Sequence, residues 1–330
     1  MVTILDVAKA AKVSKATVSY VLADSPRISP ATAARVHKAV EELGYSVNHA
    51  ARVLSTAKTM TLGIVIPLAR RGGASISQGA YLTALSDFAR SKGYDTMLIV
   101  DKKGSQAFRE ALDAKKIDGA IVMEVRQDGD ERIKLAKRFG VPTVLLGLPH
   151  DTEGLDVVDS DFEQAARDLV RYLAGLGKKS LLLVLWPQLR YKKGVNFAMR
   201  FRDAALSEAA AQGINVGIEM SPSDTENPAD ELKRAIKRHP EADALLIHND
   251  NAVIVAQQVF TELGIDPERM AVAVIVPDEM NSLVRVPYAS VSVDLDSVAR
   301  TVIEVLVSRI KHPDSTPMIR LLHHPLRVPK

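Results

Sequence analysis

Apolar positions near the N-terminus recur with the spacing of an α-helix. The first set stands at i, i+3, i+4 and i+7 and consists of Ile4, Val7, Ala8 and Ala11. Thr3 and Asp6, three residues apart, form the pattern of a capping box at the start of this set. The pattern predicts a short amphipathic helix that begins after Thr3.

Two further helices are predicted by the same reasoning. After the turn Lys12–Val13, Ser14 can cap a second helix, whose apolar side consists of Val18, Val21 and Leu22. A third helix is predicted after Ser29, with Pro30 in its first turn and Gly44 at its end. Its apolar stripe consists of Val36, Val40 and Leu43. Three short helices with so tight a first turn indicate a helix-turn-helix domain, whose second helix enters the major groove.

From Leu62 onward, short apolar runs alternate with amphipathic helices. The strand candidates are LGIVIP, TMLIV, AIVM, PTVLLG, LLLVLW, ALLIH, AVAVIV and ASVSV. Continuous apolar strands separated by helices are typical of parallel sheets that are covered on both faces. Ligands bind to such sheets beyond the C-terminal ends of the strands. The pattern therefore predicts an α/β body with a ligand site at its strand ends.

The composition limits the cellular compartments and the types of chemical site that fit this chain. A chain of 330 residues can form two or three compact units. It contains no cysteine, which excludes disulfides, thiolate metal sites and cysteine nucleophiles and is compatible with a reducing compartment. The N-terminus lacks the pattern of a signal peptide, and the apolar run LLLVLW is too short to cross a bilayer. We expect a cytoplasmic protein without membrane contact.

The net charge of +3 is unevenly distributed along the chain. Residues 1–58 contain eight lysines and arginines against four acidic residues, so this segment carries +4 and the remainder −1. A basic head on a nearly neutral body suggests a module that binds a polyanion, although a charged, solvated surface would show the same balance.

The head sequence resembles a known family. The stretches TILDVAKAAKVSKATVSYVL and RISPATAARVHKAVEELGYSVNHAARVLS are similar to the DNA-binding head of the LacI/GalR family of bacterial transcription regulators. The resemblance implies a three-helix helix-turn-helix head (residues 1–46), a hinge helix and linker (47–60), and a two-lobed parallel α/β core like type I periplasmic sugar-binding proteins (61–330). We expect lobe 1 at about 61–161 and 291–330, and lobe 2 at about 162–290.

The resemblance also assigns DNA contacts. Lys15, Ala16 and Tyr20 occupy base-reading positions, and Arg27 lies where the following loop reaches the DNA. Phosphate-holding positions are occupied by Thr3, Ser14, Thr17, Ser19, Ser29, Thr32, Tyr45 and Asn48, and Arg52 of the linker is a further DNA-binding candidate. Tyr20 stands where an arginine is common, and Ala16 offers only a methyl group. Apolar contact with thymine or a phenolic hydrogen bond therefore replaces readout of guanine by arginine.

The segment Asn48–Ser55 has helical spacing but is too short to be a stable helix alone. In the family, the matching segment becomes helical when two subunits lie side by side on an operator, and a leucine from each enters the minor groove. Leu54 holds this position; alternatively, it packs on the core. Val47 stands where the family usually has proline, so we expect ordering of this hinge to cost more free energy.

The resemblance implies a homodimer, or a higher oligomer, that binds a palindromic DNA operator and a small-molecule effector between the lobes. It places the protein in the bacterial cytoplasm, associated with the nucleoid, and implies no cofactor, metal or enzymatic activity. Candidate effector-binding residues are Arg70, Asp161, Trp186, Phe197, Asn249, Asp250 and Asp278. Each acidic or amide residue among them could instead be a helix N-cap, and Trp186 a core or interface residue.

The core departs from the family at the expected ligand contacts. Phe197 replaces the arginine of the usual R-x-x-G-aromatic motif, ARRGG replaces N-P-F-F, and VPDE replaces G-F-D-D. Five basic residues could place positive charge on both lips of the cleft: Arg70, Arg71, Arg190, Lys192 and Lys193. One hypothesis is therefore an anionic or phosphorylated effector, and the alternative is a solvated basic rim.

These observations predict a sequence-specific transcriptional repressor whose operator affinity is controlled by a sugar, a sugar phosphate or a nucleoside-like effector. The alternative is a cytoplasmic solute-binding protein or α/β enzyme with an unrelated helical cap over residues 1–58. The sequence contains neither a G-x-S-x-G elbow nor an H-E-x-x-H helix. GLGKKS, residues 175–180, lies between a helix and a strand, the wrong order for a phosphate-binding loop.

Overall fold

The computed structural model describes residues 2–22, 28–45, 58–67, 75–100, 105–222, 227–266, 269–283 and 287–329. The chain divides into two compact units, which we call the head, Met1–Thr59, and the body, Met60–Lys330.

The head contains the three predicted helices, α1 (Ile4–Ala11), α2 (Lys15–Leu22) and α3 (Pro30–Glu42). Their apolar stripes meet in a small core of Val7, Ala8, Ala11, Val18, Val21, Val36 and Ala39. The N–H and the hydroxyl of Thr3 both donate to the Asp6 carboxylate, at 2.9 and 2.7 Å. The prediction of a helix-turn-helix arrangement is confirmed.

Twelve strands are found in the described part of the body. They are β1 (Thr61–Ile66), β2 (Asp95–Val100), β3 (Gly119–Met123), β4 (Thr143–Leu146), β5 (Asp156–Ser160), β6 (Ser180–Leu185), β7 (Asn215–Met220), β8 (Ala244–Ile247), β9 (Ala271–Pro277), β10 (Ala289–Val293), β11 (Ile319–Leu322) and β12 (Leu326–Arg327). All eight apolar runs predicted as strands are strands.

The helices of the body connect these strands. They are α4 (Ile76–Ser91), α5 (Gln106–Asp113), α6 (Glu131–Phe139), α7 (Phe162–Gly175), α8 (Gln188–Lys192), α9 (Asn196–Ala211), α10 (Pro228–Arg238), α11 (Asp250–Leu263) and α12 (Leu295–Lys311). A 3₁₀ helix spans Asp278–Leu283. GLGKKS begins at the end of α7, so it is a helix terminus, as predicted.

The strands form two six-stranded sheets. The first has the order β11-β5-β4-β3-β1-β2 and is parallel throughout. The second has the order β12-β10-β9-β8-β6-β7 and is parallel except for the antiparallel pair of β10 with β12. We call the two halves built on these sheets lobe 1 and lobe 2. Most central strands are fully buried, because helices cover both faces of each sheet.

The chain passes between the two sheets three times, after β5, after β10 and after β11. The sequence predicts a return to lobe 1 near residue 290, whereas β10 stays entirely in the second sheet and the return begins at Asp294. The sequence also places 291–330 in lobe 1, but β12 pairs with β10 in the second sheet. A two-residue antiparallel edge strand has no hydrophobic pattern from which it could be predicted.

Candidate functional site

Helix α2 has one buried and one exposed face. Val18 and Val21 are buried in the head core. The opposite face is exposed and consists of Lys15, Ala16, Ser19 and Tyr20, and Tyr20 leaves 49% of its surface open. Because α2 contains no acidic residue, nothing on this helix repels a phosphate group.

Two of the hydroxyl groups that are expected to contact phosphates also cap the N-termini of helices. Ser14 Oγ accepts the N–H of Thr17 at 3.0 Å, at the start of α2. Ser29 Oγ accepts the N–H of Thr32 at 3.3 Å, at the start of α3. Each hydroxyl satisfies an amide that has no partner within its helix, so it helps to fix where the helix begins.

The other predicted DNA-binding positions fall into two groups. Thr3 is exposed, while Thr17, Thr32 and Tyr45 are half-buried. Four candidates lie outside the described residues, so their roles stay predictions: Arg27, Asn48, Arg52 and Leu54.

A cavity of about 90 Å³ lies between the two sheets of the body. Lobe 1 lines it with the ends of β3 and β4 and the start of α4, and lobe 2 with the ends of β6, β8 and β9. The cavity therefore lies where the strand-end rule predicts a ligand site.

Aromatic rings form one wall of this cavity. The four rings lie with neighbouring centroids 5.4 to 6.2 Å apart and belong to Phe162, Trp186, Phe197 and His248. Phe201 packs behind this wall, 4.1 Å from the ring of His248. The separations within the wall, 5.4 to 6.2 Å, are typical of tilted and edge-to-face aromatic pairs.

Arg190 links the two lobes across the cavity. Its guanidinium group in lobe 2 donates to the carboxylate of Glu124 in lobe 1, and both side chains are largely buried. Gln78 donates to the same Glu124 oxygen. Arg190 also lies over the Trp186 ring, 4.5 Å from its centroid. Glu124 has φ +48°, an unusual backbone conformation for a residue with a side chain.

Asp250 makes a second polar contact between the lobes. Its carboxylate, at the start of α11, accepts the N–H of Ser77 at 3.1 Å, at the start of α4. Unpaired amides at a helix N-terminus favour a negative charge. One buried carboxylate of lobe 2 thus holds the first turn of a lobe 1 helix.

The lobes also touch through their backbones. Arg126 and Val195 form an isolated antiparallel bridge, with Gln127 N–H donating to Gly194 O and Asn196 N–H donating to Val125 O. Next to it, Gly147 has φ +140°, and a Cβ at this position would lie 2.9 Å from the Asn196 amide. Glycine is therefore required at this contact between the lobes.

Burial shifts the ionisation of several groups around the cavity. It lowers the pKa of His248 to about 3, and Arg190 acts in the same direction, so this imidazole is neutral at physiological pH. Burial raises the pKa of Asp159 to about 7, although Arg200, which donates to it at 2.7 Å, opposes the shift. Burial also raises the pKa of Asp250, against the hydrogen bonds from Ser77.

The structure brings together three of the predicted effector-binding residues, Trp186, Phe197 and Asp250. Asp161 instead caps α7 and accepts the N–H of Gln164 at 3.0 Å. Asn249 caps α11 and borders a separate cavity of about 340 Å³ on lobe 2. Both residues therefore cap helices, which is the alternative role considered from the sequence.

Among the described residues, the remaining candidates do not line the cavity. Asp278 pairs with Arg327 at 3.1 Å, Lys192 and Lys193 are exposed, and Arg70 and Arg71 lie outside the described residues. Three of the five basic residues predicted for the lips are described, and of these three only Arg190 lines the cavity, with its charge paired with Glu124.

Sequence reasoning missed several lining residues. Glu124 and His248 directly follow strands, so the strand-end rule would have found them. Gln78, Tyr81 and Phe162 come from the first two turns of helices, and no local pattern marks them.

None of the described helices combines the length and the apolar character that a membrane crossing requires. In the described part of the chain, His, Asp and Glu side chains nowhere form a group of three or more that could hold a metal ion.

Two family models match the chain. The model described as "Bacterial regulatory proteins, lacI family" matches residues 3–48, and the model described as "Periplasmic binding protein-like domain" matches residues 170–327. The first match covers the head helices, and the second covers the strands of lobe 2.

Curated relatives carry names of transcription regulators. Catabolite control protein A of Priestia megaterium is 34% identical over 187 residues, which cover 56% of this chain and 54% of that protein. The chain thus spans about half the length of the first relatives that it matches. The HTH-type transcriptional regulator CelR of Thermobifida fusca is 27% identical over 335 residues, covering 98% of this chain and 96% of that protein.

Solved structures share the whole fold. The Lac repressor dimer bound to operator and the anti-inducer ONPF matches with a TM-score of 0.80 at 20% identity, covering 100% of this chain and 98% of that one. A transcriptional regulator CelR–cellobiose complex matches with a TM-score of 0.70 at 23% identity, covering 100% and 99%. Residues 3–48 of the chain are thus similar to the head of lacI-family regulatory proteins, and residues 170–327 are similar to a periplasmic-binding-protein-like domain.

Proposed function

We propose that this protein is a bacterial transcriptional repressor that binds a specific DNA operator. A small molecule either weakens or strengthens this binding. The observation that carries the proposal is the exposed face of α2, which is free of acidic residues and belongs to a head similar to that of lacI-family regulatory proteins. In a helix-turn-helix domain this face lies in the major groove, with Lys15, Ala16 and Tyr20 at the base edges. We place the protein in the cytoplasm and assign it no catalysis.

A homodimer on a palindromic operator follows from this assignment. Two recognition helices reach successive major grooves only when two heads are held together. The edge strands β2 and β7 each expose an apolar side chain, Leu98 at 48% and Ile218 at 42%. Both would be covered if two bodies associated along these edges. The solved Lac repressor structure, which is a dimer on its operator, supports this arrangement by analogy.

The small molecule binds in the cavity between the lobes. The relative solved with cellobiose supports a small polar ligand in this family fold, and sugars, sugar phosphates and nucleoside-like compounds are the classes first considered. Because the cavity touches both lobes, a ligand there changes the angle between them. By linkage, ligand and DNA must change one another's affinity by the same factor.

The segment 47–60 is proposed to transmit this change as a hinge. Leu54 is expected to enter the minor groove when two hinges meet on the operator. Leu54→Ala should weaken operator binding and leave ligand binding intact. Unchanged operator affinity would mean that the segment only connects the head to the body.

Selection of bound sequences from a randomised DNA duplex library, with the full-length protein, tests the main proposal. We expect enrichment of a two-fold symmetric site and an affinity that falls steeply as salt rises, because bound protein releases counterions. Lys15→Ala should weaken binding and relax base preference in each half-site, while Lys192→Ala, on the exposed surface of the body, should change neither. Absence of enrichment even at low salt would favour a solute-binding protein instead.

A further inference from the structure

The described lining of the interlobe cavity carries more acidic than basic groups. Three carboxylates line it, those of Glu124, Asp159 and Asp250, against one guanidinium group, that of Arg190. A cavity that received an anion would need the opposite balance, because an anion leaves its hydration shell only for donors or positive charge.

The three carboxylates differ in how they are neutralised. Asp159 is paired with Arg200 at 2.7 Å, and Glu124 is paired with Arg190. Asp250 is only 3% exposed and makes no ion pair within 4.0 Å with any described residue. The groups that stabilise its charge are the N–H of Ser77, neighbouring serine hydroxyls and, at longer range, the positive charge of Arg190. Asp250 is therefore the lining carboxylate that has no directly paired cation among the described residues.

The aromatic wall adds a second, independent attraction for positive charge. The faces of aromatic rings carry negative charge density and attract cations. The cavity already shows this interaction once, because the Arg190 guanidinium lies 4.5 Å from the centre of the Trp186 ring. Phe162 and Phe197 extend the same wall.

Two buried polar atoms on this wall have no hydrogen-bond partner among the described residues. They are Nδ1 of His248 and Nε1 of Trp186, in side chains that are 4% and 6% exposed. A neutral imidazole can accept a hydrogen bond at Nδ1, and the indole N–H can only donate. A ligand that satisfies both offers an acceptor to the indole N–H, and a donor to Nδ1 when the His248 proton is on Nε2.

We propose that the effector of this cleft carries a compact organic cation, an ammonium, amidinium or guanidinium group, that pairs with Asp250 beside the rings of Trp186, Phe162 and Phe197. This inference rests on the proposed effector role of the cleft and replaces the anionic effector considered from the sequence. The body attached to the cation is flat or compact, because the cavity between the lobes has a volume of only about 90 Å³.

Matched probe series test the charge preference directly. The first series is benzylamine, benzyl alcohol and benzoate, and the second is glucosamine, glucose and glucose 6-phosphate. Binding to the full-length protein is measured by isothermal titration calorimetry and by thermal shift. In at least one series the amine should bind at least tenfold more tightly than its neutral partner, and the anion should not bind at millimolar concentration.

The variant Asp250→Asn tests whether the Asp250 carboxylate causes the preference for the amine. Asparagine has nearly the same shape and can still accept the Ser77 N–H, so the fold is retained, but it cannot neutralise a cation. The preference for the amine should fall below threefold. Asp278→Asn, which removes a carboxylate paired with Arg327 outside the cavity, should leave the preference unchanged.

The proposal is overturned if, in both series, a neutral or anionic probe binds as tightly as its amine partner, or if no amine binds. Retention of the full preference in Asp250→Asn overturns it as well. Selection of an operator in the absence of any probe succeeds or fails independently of these outcomes, so loss of the cationic assignment leaves the DNA-binding assignment standing.

Discussion

At the scale of single residues, the ionisation of His248 makes the stability of the folded chain depend on pH. Burial, and then the nearby positive charge of Arg190, lowers its pKa from 6.5 to about 3. The unfolded chain therefore binds a proton at this site at pH values where the folded chain does not. The stabilising contribution is fully present above pH 6.5 and is lost as the pH falls from 6.5 towards 3.

His248→Leu tests this link between ionisation and stability. Between pH 6 and 4 the free energy of unfolding should fall less steeply with acidification in the variant, by up to about 1.4 kcal/mol per pH unit. Urea denaturation followed by circular dichroism across this range measures the slope. His312→Gln, on an exposed helix end, should keep the slope of the unaltered protein. Equal slopes for all three proteins would contradict the shift.

The residues of the cleft were predictable only in part. Trp186 and Asp250 could be found because they follow apolar strands that the sequence reveals. Tyr81 and Phe162 could not, because their place depends on how a helix of one lobe meets the other. The charge of the site could not be predicted either, because the pairing of Arg190 with Glu124 joins residues 66 positions apart. Local sequence identifies strand ends, and long-range packing decides what faces the ligand.

At the scale of elements, the first turn of α2 has two roles that act through one atom. Ser14 Oγ accepts the Thr17 N–H and is also expected to lie against a phosphate. Replacement by alanine would remove both functions together. Replacement by aspartate separates them, because aspartate is as good a capping residue as serine but carries a negative charge.

Ser14→Asp should therefore leave the thermal stability of the head unchanged and weaken operator binding at least tenfold. Ser14→Ala should lower the free energy of unfolding by about 1 kcal/mol through loss of the cap. Circular dichroism and fluorescence anisotropy with the selected operator measure the two effects. Operator affinity retained by Ser14→Asp would show that this residue does not face a phosphate.

The strands that sequence patterns miss share identifiable features. In β5, Asp156 and Asp159 interrupt the apolar run, because their buried carboxylates pair with Arg309 and Arg200. β7 and β11 are edge strands with exposed or half-buried residues, so they lack a continuous apolar pattern. The central strands were predicted because burial on both faces requires an uninterrupted apolar sequence.

At the scale of the body, one buried histidine connects all three segments in which the chain crosses between the lobes. His324 lies between β11 and β12, accepts the Asp294 N–H at Nδ1 at 3.5 Å, and its Nε2 lies 3.0 Å from Ser160 Oγ. Ser160 ends β5, and Asp294 follows β10. With Nδ1 accepting, Nε2 carries the proton and donates to Ser160. The three crossing segments are thus held together at one point.

The backbone bridge between the lobes offers a way to fix the angle between them. Arg126 and Val195 are directly opposed, and the hydrogen bonds on either side involve their neighbours, so they form a non-hydrogen-bonded antiparallel pair. The Cα atoms of such a pair lie about 4.5 Å apart. This separation is within the range of roughly 4.4 to 6.8 Å that disulfides require.

The double variant Arg126→Cys, Val195→Cys should consequently form a disulfide that locks the lobes together. The chain has no other cysteine, so no competing bond can form. Oxidation should raise the free energy of unfolding by about 4 kcal/mol, because the bond closes a long loop in the unfolded chain. It should also abolish any change in operator affinity caused by the amine probes, and reduction should restore that change. Each single-cysteine variant should respond to the probes like the unaltered protein. An oxidised double variant that still responds would mean that the ligand acts on the DNA-binding head without moving one lobe against the other.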